Sequence, residues 1–91
     1  PREIENEVNK IPEINESYVF GSIDKYWGQK VNLFVNFKDR NKILSLSQIK
    51  KSLSNMDSFK LPKVLHVSKS EFPKLINGKI DKKKIEELIN E

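Results

Sequence analysis

The sequence predicts an α+β domain in which helices flank a small sheet of about three strands, in the order α-β-β-α-β-loop-α. Three segments carry apolar residues at every third or fourth position, which is typical of amphipathic helices. Between them lie short runs rich in β-branched and aromatic residues, and one of these runs alternates with polar residues at period two. The 91 residues are enough for one domain with a thin core.

The first helix is predicted over residues 1–11, because Pro1 suits the first helical position and Pro12 ends the segment. Acidic residues in its first turn suit the positive end of the helix dipole. Its buried face is predicted from the helical spacing of Ile4, Val8 and Ile11.

Two strands follow, over residues 14–23 and 31–37. The apolar positions of the second strand alternate, so one of its faces is expected to be buried and the other exposed. These positions are Val31, Leu33, Val35 and Phe37. We expect the two strands to pair antiparallel, with a polar connection, residues 22–30, that is too long for a tight hairpin.

A second helix is predicted to begin after Ser45, because Gln48 stands three residues further on and completes a capping box. Its buried face is formed by Leu46, Ile49, Leu53 and Met56. Pro62 then fixes the entry to a third strand, Val64–Val67. His66 lies in that strand without a second metal-ligating residue nearby in the sequence, so we interpret it as structural.

The most distinctive segment of the chain is PKLINGKIDK, residues 73–82. Asn77 and Gly78 both tolerate positive φ, so they predict a tight turn. Asp81 is a good N-cap for a third helix over residues 82–90. The apolar stripe of that helix is formed by Ile85, Leu88 and Ile89.

Lys79 stands at the tip of this segment, between Pro73 at one end and the third helix at the other. A lysine held on a tight loop can place its charge on a phosphate or carboxylate that arrives from elsewhere. On spacing alone, a surface lysine in a basic tail is the commoner interpretation. The segment taken alone therefore leaves both roles open.

Composition excludes several kinds of site and points to an anionic partner. The chain has no cysteine and one histidine, which excludes disulfides, thiolate metal sites and histidine clusters. No apolar run approaches the roughly 20 residues of a transmembrane span, and no signal-peptide pattern is present, so we expect a cytoplasmic protein. The net charge is +4, and residues 60–84 hold eight lysines against two acidic residues. Nucleic acid, a membrane surface and a phosphorylated small molecule all fit this charge.

Four short segments follow one another along the chain: PREIE at residues 1–5, DKYWGQKV at 24–31, FKLPKV at 59–64 and PKLINGKIDK at 73–82. The last of them resembles the final core motif of the ANL adenylating enzymes, which are the acyl- and aryl-CoA synthetases, the adenylation domains of peptide synthetases and the luciferases. The first three are similar to segments of the C-terminal domain of the same enzymes. Because the four motifs are spread from residue 1 to residue 82, the resemblance covers almost all of residues 1–89.

The resemblance implies that residues 1–91 form a single C-terminal lid domain of an AMP-forming ligase, and that the large N-terminal domain with the ATP and acyl pockets is absent from this sequence. Such enzymes join a carboxylic acid to ATP and then pass the acyl group to a thiol, often that of coenzyme A. Lys79 matches the family's catalytic lysine. The residues that match the support of its loop are Pro73, Asn77, Gly78 and Lys82. Mg²⁺ is expected with ATP but not in this domain, and the fragment alone is expected to be inactive.

The resemblance also implies a second binding surface. In CoA ligases of this family, the positions that match Trp27, Phe59 and Lys63 lie beside the CoA nucleotide. The two aromatic rings can stack on adenine, and Lys63 can meet a phosphate. Because ATP and CoA are polyanions, they explain the basic C-terminal part, and we expect no nucleic-acid partner. The resemblance thus favours an acyl-CoA synthetase, with a fatty acid as one candidate substrate.

The sequence departs from the family pattern at several positions. Leu75 stands where the family usually has threonine, and Leu61 stands where some CoA ligases carry arginine. Residues 77–81 are closer to the amino-acid-adenylating branch, whereas residues 27–28 and 62–63 are closer to the CoA ligases. An adenylation domain that loads a carrier protein is therefore an alternative. A more distant alternative is a stand-alone basic α+β module that binds nucleic acid with a steep salt dependence.

Overall fold

The computed structural model describes residues 2–26, 28–39, 41–57 and 61–89. Its elements, in chain order, are α1 (Arg2–Val8), β1 (Ile14–Asp24), β2 (Gly28–Phe37), α2 (Leu46–Ser52), β3 (Val64–Val67) and α3 (Lys82–Ile89). The predicted α+β class and the predicted order of the elements are therefore confirmed. None of the helices in these residues has the length and hydropathy needed to cross a membrane.

The sheet has the strand order β1-β2-β3, with β2 antiparallel to β1 and parallel to β3. The pairing of β1 with β2 continues to Asp24 opposite Gly28, which leaves only residues 25–27 between the strands. The prediction of a connection too long for a tight hairpin was therefore wrong. The reason is that Ser22 pairs with Lys30 and Ile23 with Gln29, and a backbone ladder does not require apolar side chains where it faces solvent.

The central strand β2 is covered on both faces. All five residues from 32 to 36 are buried, so the expectation of one exposed face was wrong. Leu33 and Val35 face a cluster that includes residues of α1 and α2, while Phe34 packs with Tyr18 on the opposite face. The sequence obscured this arrangement because the opposite face carries two buried asparagines beside its aromatic residues.

The first helix is shorter than predicted. It ends at Val8, and the backbone then turns, with the N–H of Ile11 donating to the carbonyl of Val8 at 3.0 Å. The three predicted core positions are all buried: Ile4, Val8 and Ile11. The predicted start of the helix at Pro1 lies outside the described residues.

The second helix begins at the predicted capping box. The N–H of Gln48 donates to Oγ of Ser45 at 3.3 Å, and the N–H of Ser45 donates to the Gln48 side chain at 2.8 Å. These two bonds satisfy backbone donors that a helix N-terminus otherwise leaves unpaired. On the predicted apolar face, Ile49 and Leu53 are buried, and Leu46 and Met56 are half-buried.

The third helix covers the second face of the sheet. Asp81 caps it, since its Oδ1 accepts the N–H of Lys84 at 3.1 Å. Ile85 is fully buried beside Tyr18, Phe34 and Phe72. The predicted apolar stripe is narrower than expected, because Leu88 is 52% exposed. The side chain of Ile89 and the predicted helix end at Asn90 lie outside the described residues.

Candidate functional site

Residues 73–81, which we call the lysine loop, form a closed loop between β3 and α3. Lys74 and Ile80 form an isolated antiparallel bridge. The N–H of Asp81 donates to the carbonyl of Pro73 at 2.8 Å, and the N–H of Leu75 donates to the carbonyl of Lys79 at 2.8 Å. These two hydrogen bonds make up the bridge, and they hold the two ends of the loop together.

The tip of the lysine loop is a tight turn. The N–H of Gly78 donates to the carbonyl of Leu75 at 2.9 Å, and Gly78 adopts a φ of +86°. A side chain at this position has open space around it, so backbone conformation is what favours glycine. Asn77, the other residue suited to positive φ, does not use it. Instead its Oδ1 accepts the N–H of Lys79 at 3.0 Å, which fixes the backbone at the lysine itself.

The side chain of Lys79 is exposed at this tip, and no ion pair joins it to any described residue. Ile76 beside it is also fully exposed. The structure thus presents a cation on a backbone held by hydrogen bonds, pointing away from the domain's own core. An exposed ammonium of this kind can meet an anionic group that a second body brings to it.

The loop is attached to the sheet just before it begins. Phe72 is buried, with its ring centroid 4.9 Å from that of Phe34. Lys74 forms an ion pair with Glu16 of β1. At the far end, the ammonium of Lys82 lies 5.9 Å from the ring centroid of Tyr18, within range of a cation–π contact. Both ends of the loop therefore rest on β1 or β2.

Tyr18 ties α3 to the sheet through a carboxylate. Its hydroxyl donates to Oε1 of Glu86 at 3.3 Å. Burial raises the pKa of Tyr18, and the negative charge and hydrogen bond of Glu86 raise it further, to about 12. The folded state raises this pKa above its ordinary value of 10.0. The contribution of Tyr18 to the free energy of unfolding is therefore fully present below pH 10.0 and is lost as the pH rises through about 12.

This network makes a testable prediction about Tyr18. In an alkaline titration followed by ultraviolet absorbance, we expect a tyrosinate transition near pH 12 that Tyr18→Phe abolishes. Glu86→Gln removes a nearby negative charge, so it is expected to shift that transition to lower pH. A transition that stays in place in Glu86→Gln would contradict the contact between these side chains.

Lys63, one of the three residues predicted for CoA, lies apart from the lysine loop. Lys63 directly precedes β3, where its backbone N–H donates to the carbonyl of Val31 at 2.9 Å, and its side chain is exposed. The contacts that anchor the lysine loop lie near Asn36, about 16 Å further along β2 at ~3.3 Å per residue. The other two predicted residues, Trp27 and Phe59, lie outside the described residues.

Two buried asparagines on β2 were not identified as important from the sequence. Asn32 donates to Oγ of Ser22 at 2.8 Å, and its Oδ1 lies 3.2 Å from Nε2 of His66. Since a carbonyl oxygen only accepts, Nε2 of His66 carries the proton. Burial and the charge of Lys30 lower the pKa of His66, in agreement with a structural role. The signal in the sequence was a polar amide at each flank of an otherwise apolar strand.

Among the described residues, no group of three histidine, aspartate or glutamate side chains could hold a metal ion. The lysine loop offers an ammonium group on a fixed backbone, beside the basic start of α3. Such a group stabilises negative charge on an anion that reaches it.

The chain combines this sheet with a closed lysine loop before its last helix, and it belongs to a known class of domain. That class is the C-terminal domains of the adenylate-forming enzymes of the ANL superfamily. The chain belongs to the family described as the AMP-binding enzyme C-terminal domain, whose model matches residues 3–79. The resemblance identified from the four sequence motifs is thereby confirmed.

Solved structures support the same assignment. A fatty acyl CoA synthetase from Mycobacterium tuberculosis is 30% identical, with a TM-score of 0.84 over 97% of this chain and 17% of its own. ATP-bound MatB from Rhodopseudomonas palustris is 26% identical, with a TM-score of 0.86 over 100% of this chain and 18% of its own. The amide bond synthetase McbA from Marinactinospora thermotolerans shares the fold, at 20% identity and a TM-score of 0.84 over 96% of this chain and 17% of its own.

The chain thus spans less than a fifth of the length of these proteins. No curated protein sequence matches it at a significant level.

Proposed function

We propose that residues 1–91 are the single C-terminal lid of an ATP-dependent, AMP-forming acyl-CoA synthetase, whose larger N-terminal domain binds ATP and the acyl group. The observation that carries this proposal is Lys79, exposed at the tip of a loop that two backbone hydrogen bonds close. The structural neighbour named as a fatty acyl CoA synthetase supports CoA as the acceptor of the acyl group, and it makes a fatty acid one candidate substrate.

In the first half-reaction, a carboxylate oxygen of the acid attacks the α-phosphorus of ATP. The bond to the bridging oxygen breaks, pyrophosphate leaves, and acyl-AMP forms. Lys79 contributes by placing its ammonium between the attacking carboxylate and the α-phosphate, where negative charge is concentrated in the transition state. Mg²⁺ accompanies ATP in this proposal and is bound outside this domain.

In the second half-reaction, the thiol of CoA loses its proton to solvent and attacks the acyl carbonyl carbon. The thioester bond forms, and AMP leaves with the electron pair of the broken bond. In this proposal the lid rotates between the two half-reactions, so Lys79 is withdrawn and has no role in this step. The residues proposed to hold CoA are Trp27, Phe59 and Lys63. Lys63 supports this placement, because it is exposed at the start of β3, well away from the anchors of the lysine loop.

The CoA surface can be tested with Trp27→Ala in the full-length enzyme. Base–aromatic stacking contributes roughly 1–3 kcal/mol, so we expect the KM for CoA to rise about 5- to 150-fold while ATP–pyrophosphate exchange is unchanged. Tyr26→Ala is the matched control, since it removes the exposed aromatic side chain next to it.

An unchanged KM for CoA in Trp27→Ala would contradict the proposed CoA surface. If the acyl group were transferred to a carrier-protein thiol and not to CoA, the acyl-CoA synthetase assignment would be wrong. The proposed role in acyl-AMP formation would not be contradicted by that result. The two half-reactions therefore test the two parts of the proposal separately.

A further inference from the structure

Glu16 of β1 accepts hydrogen bonds from three donors in two parts of the chain, one on β2 and two in residues 72–74. Its Oε1 accepts Nδ2 of Asn36 at 2.8 Å and the backbone N–H of Phe72 at 3.2 Å. Its Oε2 is paired with Nζ of Lys74. The carboxylate side chain is only 18% exposed, so these contacts form in a partly desolvated setting.

The donors sit where the lysine loop begins. Phe72 and Lys74 flank Pro73, the first residue of the loop, and Lys74 is also the bridge partner of Ile80. Asn36 extends the anchor, since its Nδ2 also donates to the carbonyl of Ser70 at 3.2 Å. One carboxylate on the sheet therefore fixes the outgoing arm of the loop, and the backbone bridge passes this constraint to the residue next to Lys79.

The charge of Glu16 is maintained at neutral pH. Burial by itself raises the pKa of its carboxyl group, but the hydrogen bonds from Lys74, Asn36 and the Phe72 N–H outweigh burial and leave the pKa below its ordinary value. The ion pair also separates the roles of the two lysines on the loop. The charge of Lys74 is neutralised against the sheet, whereas no ion pair with a described residue neutralises Lys79.

We propose that Glu16 is a positioning residue for acyl-AMP formation. It holds the outgoing arm of the lysine loop against the sheet, and in this way it keeps Lys79 in one orientation toward the substrate. The inference rests on the proposed role of Lys79. Glu16 acts through Lys74 and the Phe72 N–H and touches no reacting atom.

The test uses Glu16→Gln in the full-length enzyme. Glutamine keeps the shape of the side chain, but its amide end replaces the acceptor that Lys74 requires. We expect the kcat of acyl-AMP formation to fall about 10-fold, with thioester formation from added acyl-AMP unchanged. Lys74→Met removes the same ion pair from the other side and is expected to give a similar loss, which keeps the test valid if Glu16→Gln does not fold.

Measuring acyl-AMP formation by Glu16→Gln in the Lys79→Ala background separates a positioning role from a general effect on stability. If Glu16 acts through Lys79, adding Glu16→Gln to Lys79→Ala should lower acyl-AMP formation no further. Glu7→Gln is the matched control, because it also breaks a glutamate–lysine pair, with Lys10, but on α1. We expect it to leave both half-reactions unchanged.

Each outcome decides between the claims. If Glu16→Gln has no effect, slows both half-reactions equally, or remains harmful in the Lys79→Ala background, the positioning role is wrong. If Lys79→Ala itself leaves acyl-AMP formation intact, the proposed function fails first, and that result is independent of the Glu16 variants.

Discussion

Replacing Lys79 with alanine in the full-length enzyme is expected to lower the rate of acyl-AMP formation about 100- to 1,000-fold. Removing one fixed group that stabilises developing negative charge typically has an effect of this size. The loss should appear in kcat more than in the KM for ATP, because the ammonium acts where charge develops in the transition state. Thioester formation from preformed acyl-AMP should continue at the rate of the unaltered enzyme.

The control for this prediction is Lys83→Ala. Lys83 is an exposed lysine in the first turn of α3, four residues from Lys79, and it lies outside the lysine loop. It is expected to leave both half-reactions nearly unchanged. If Lys79→Ala and Lys83→Ala lowered the rate of acyl-AMP formation equally little, the basic segment would contribute only a general electrostatic attraction. The proposed role of Lys79 in acyl-AMP formation would then be wrong.

Replacing Ile85 with alanine is expected to lower the free energy of unfolding by about 2–5 kcal/mol, the range for large-to-small changes in a packed core. Ile85 is fully buried and packs in one cluster with Tyr18, Phe34 and Phe72. Small domains have a total stability of only about 5–15 kcal/mol, so the loss is a large fraction of the whole. Urea unfolding followed by circular dichroism measures it directly.

Leu88→Ala is the matched control on the same helix. Leu88 is 52% exposed, so its replacement is expected to change the free energy of unfolding by no more than about 0.5 kcal/mol. If the two substitutions changed the free energy of unfolding equally, the packing of α3 on the sheet through Ile85 would be contradicted. Because α3 begins directly after the lysine loop, Ile85→Ala should also slow acyl-AMP formation.

Elements governed by local chemistry could be predicted from the sequence. The capping box of Ser45 and Gln48 and the bounds of β3 depend on neighbouring residues, and both were confirmed. The length of the β1–β2 hairpin and the burial of β2 on both faces could not be predicted. They depend on which strands and helices meet in space, and polar residues such as Asn32 and Asn36 are buried only because distant partners bond to them.

The candidate site divides in the same way. The turn that presents Lys79 is encoded within a few residues, so the sequence alone indicated it. Glu16 lies 58 residues from Lys74 in the chain, and no local pattern distinguishes it from the other glutamates near the N-terminus. Its position against the lysine loop is set by the pairing of β1 with β2 and became visible only in the folded chain. The roles of Trp27 and Phe59 stay predictions.

The most direct test of the central claim is ATP–pyrophosphate exchange by the full-length protein, measured over a panel of carboxylic acids for the unaltered enzyme and for Lys79→Ala. We expect exchange that requires a carboxylic acid in the unaltered enzyme and that falls at least about 100-fold in Lys79→Ala. Exchange that continues undiminished in the folded Lys79→Ala protein would contradict the assignment of the lysine loop to acyl-AMP formation.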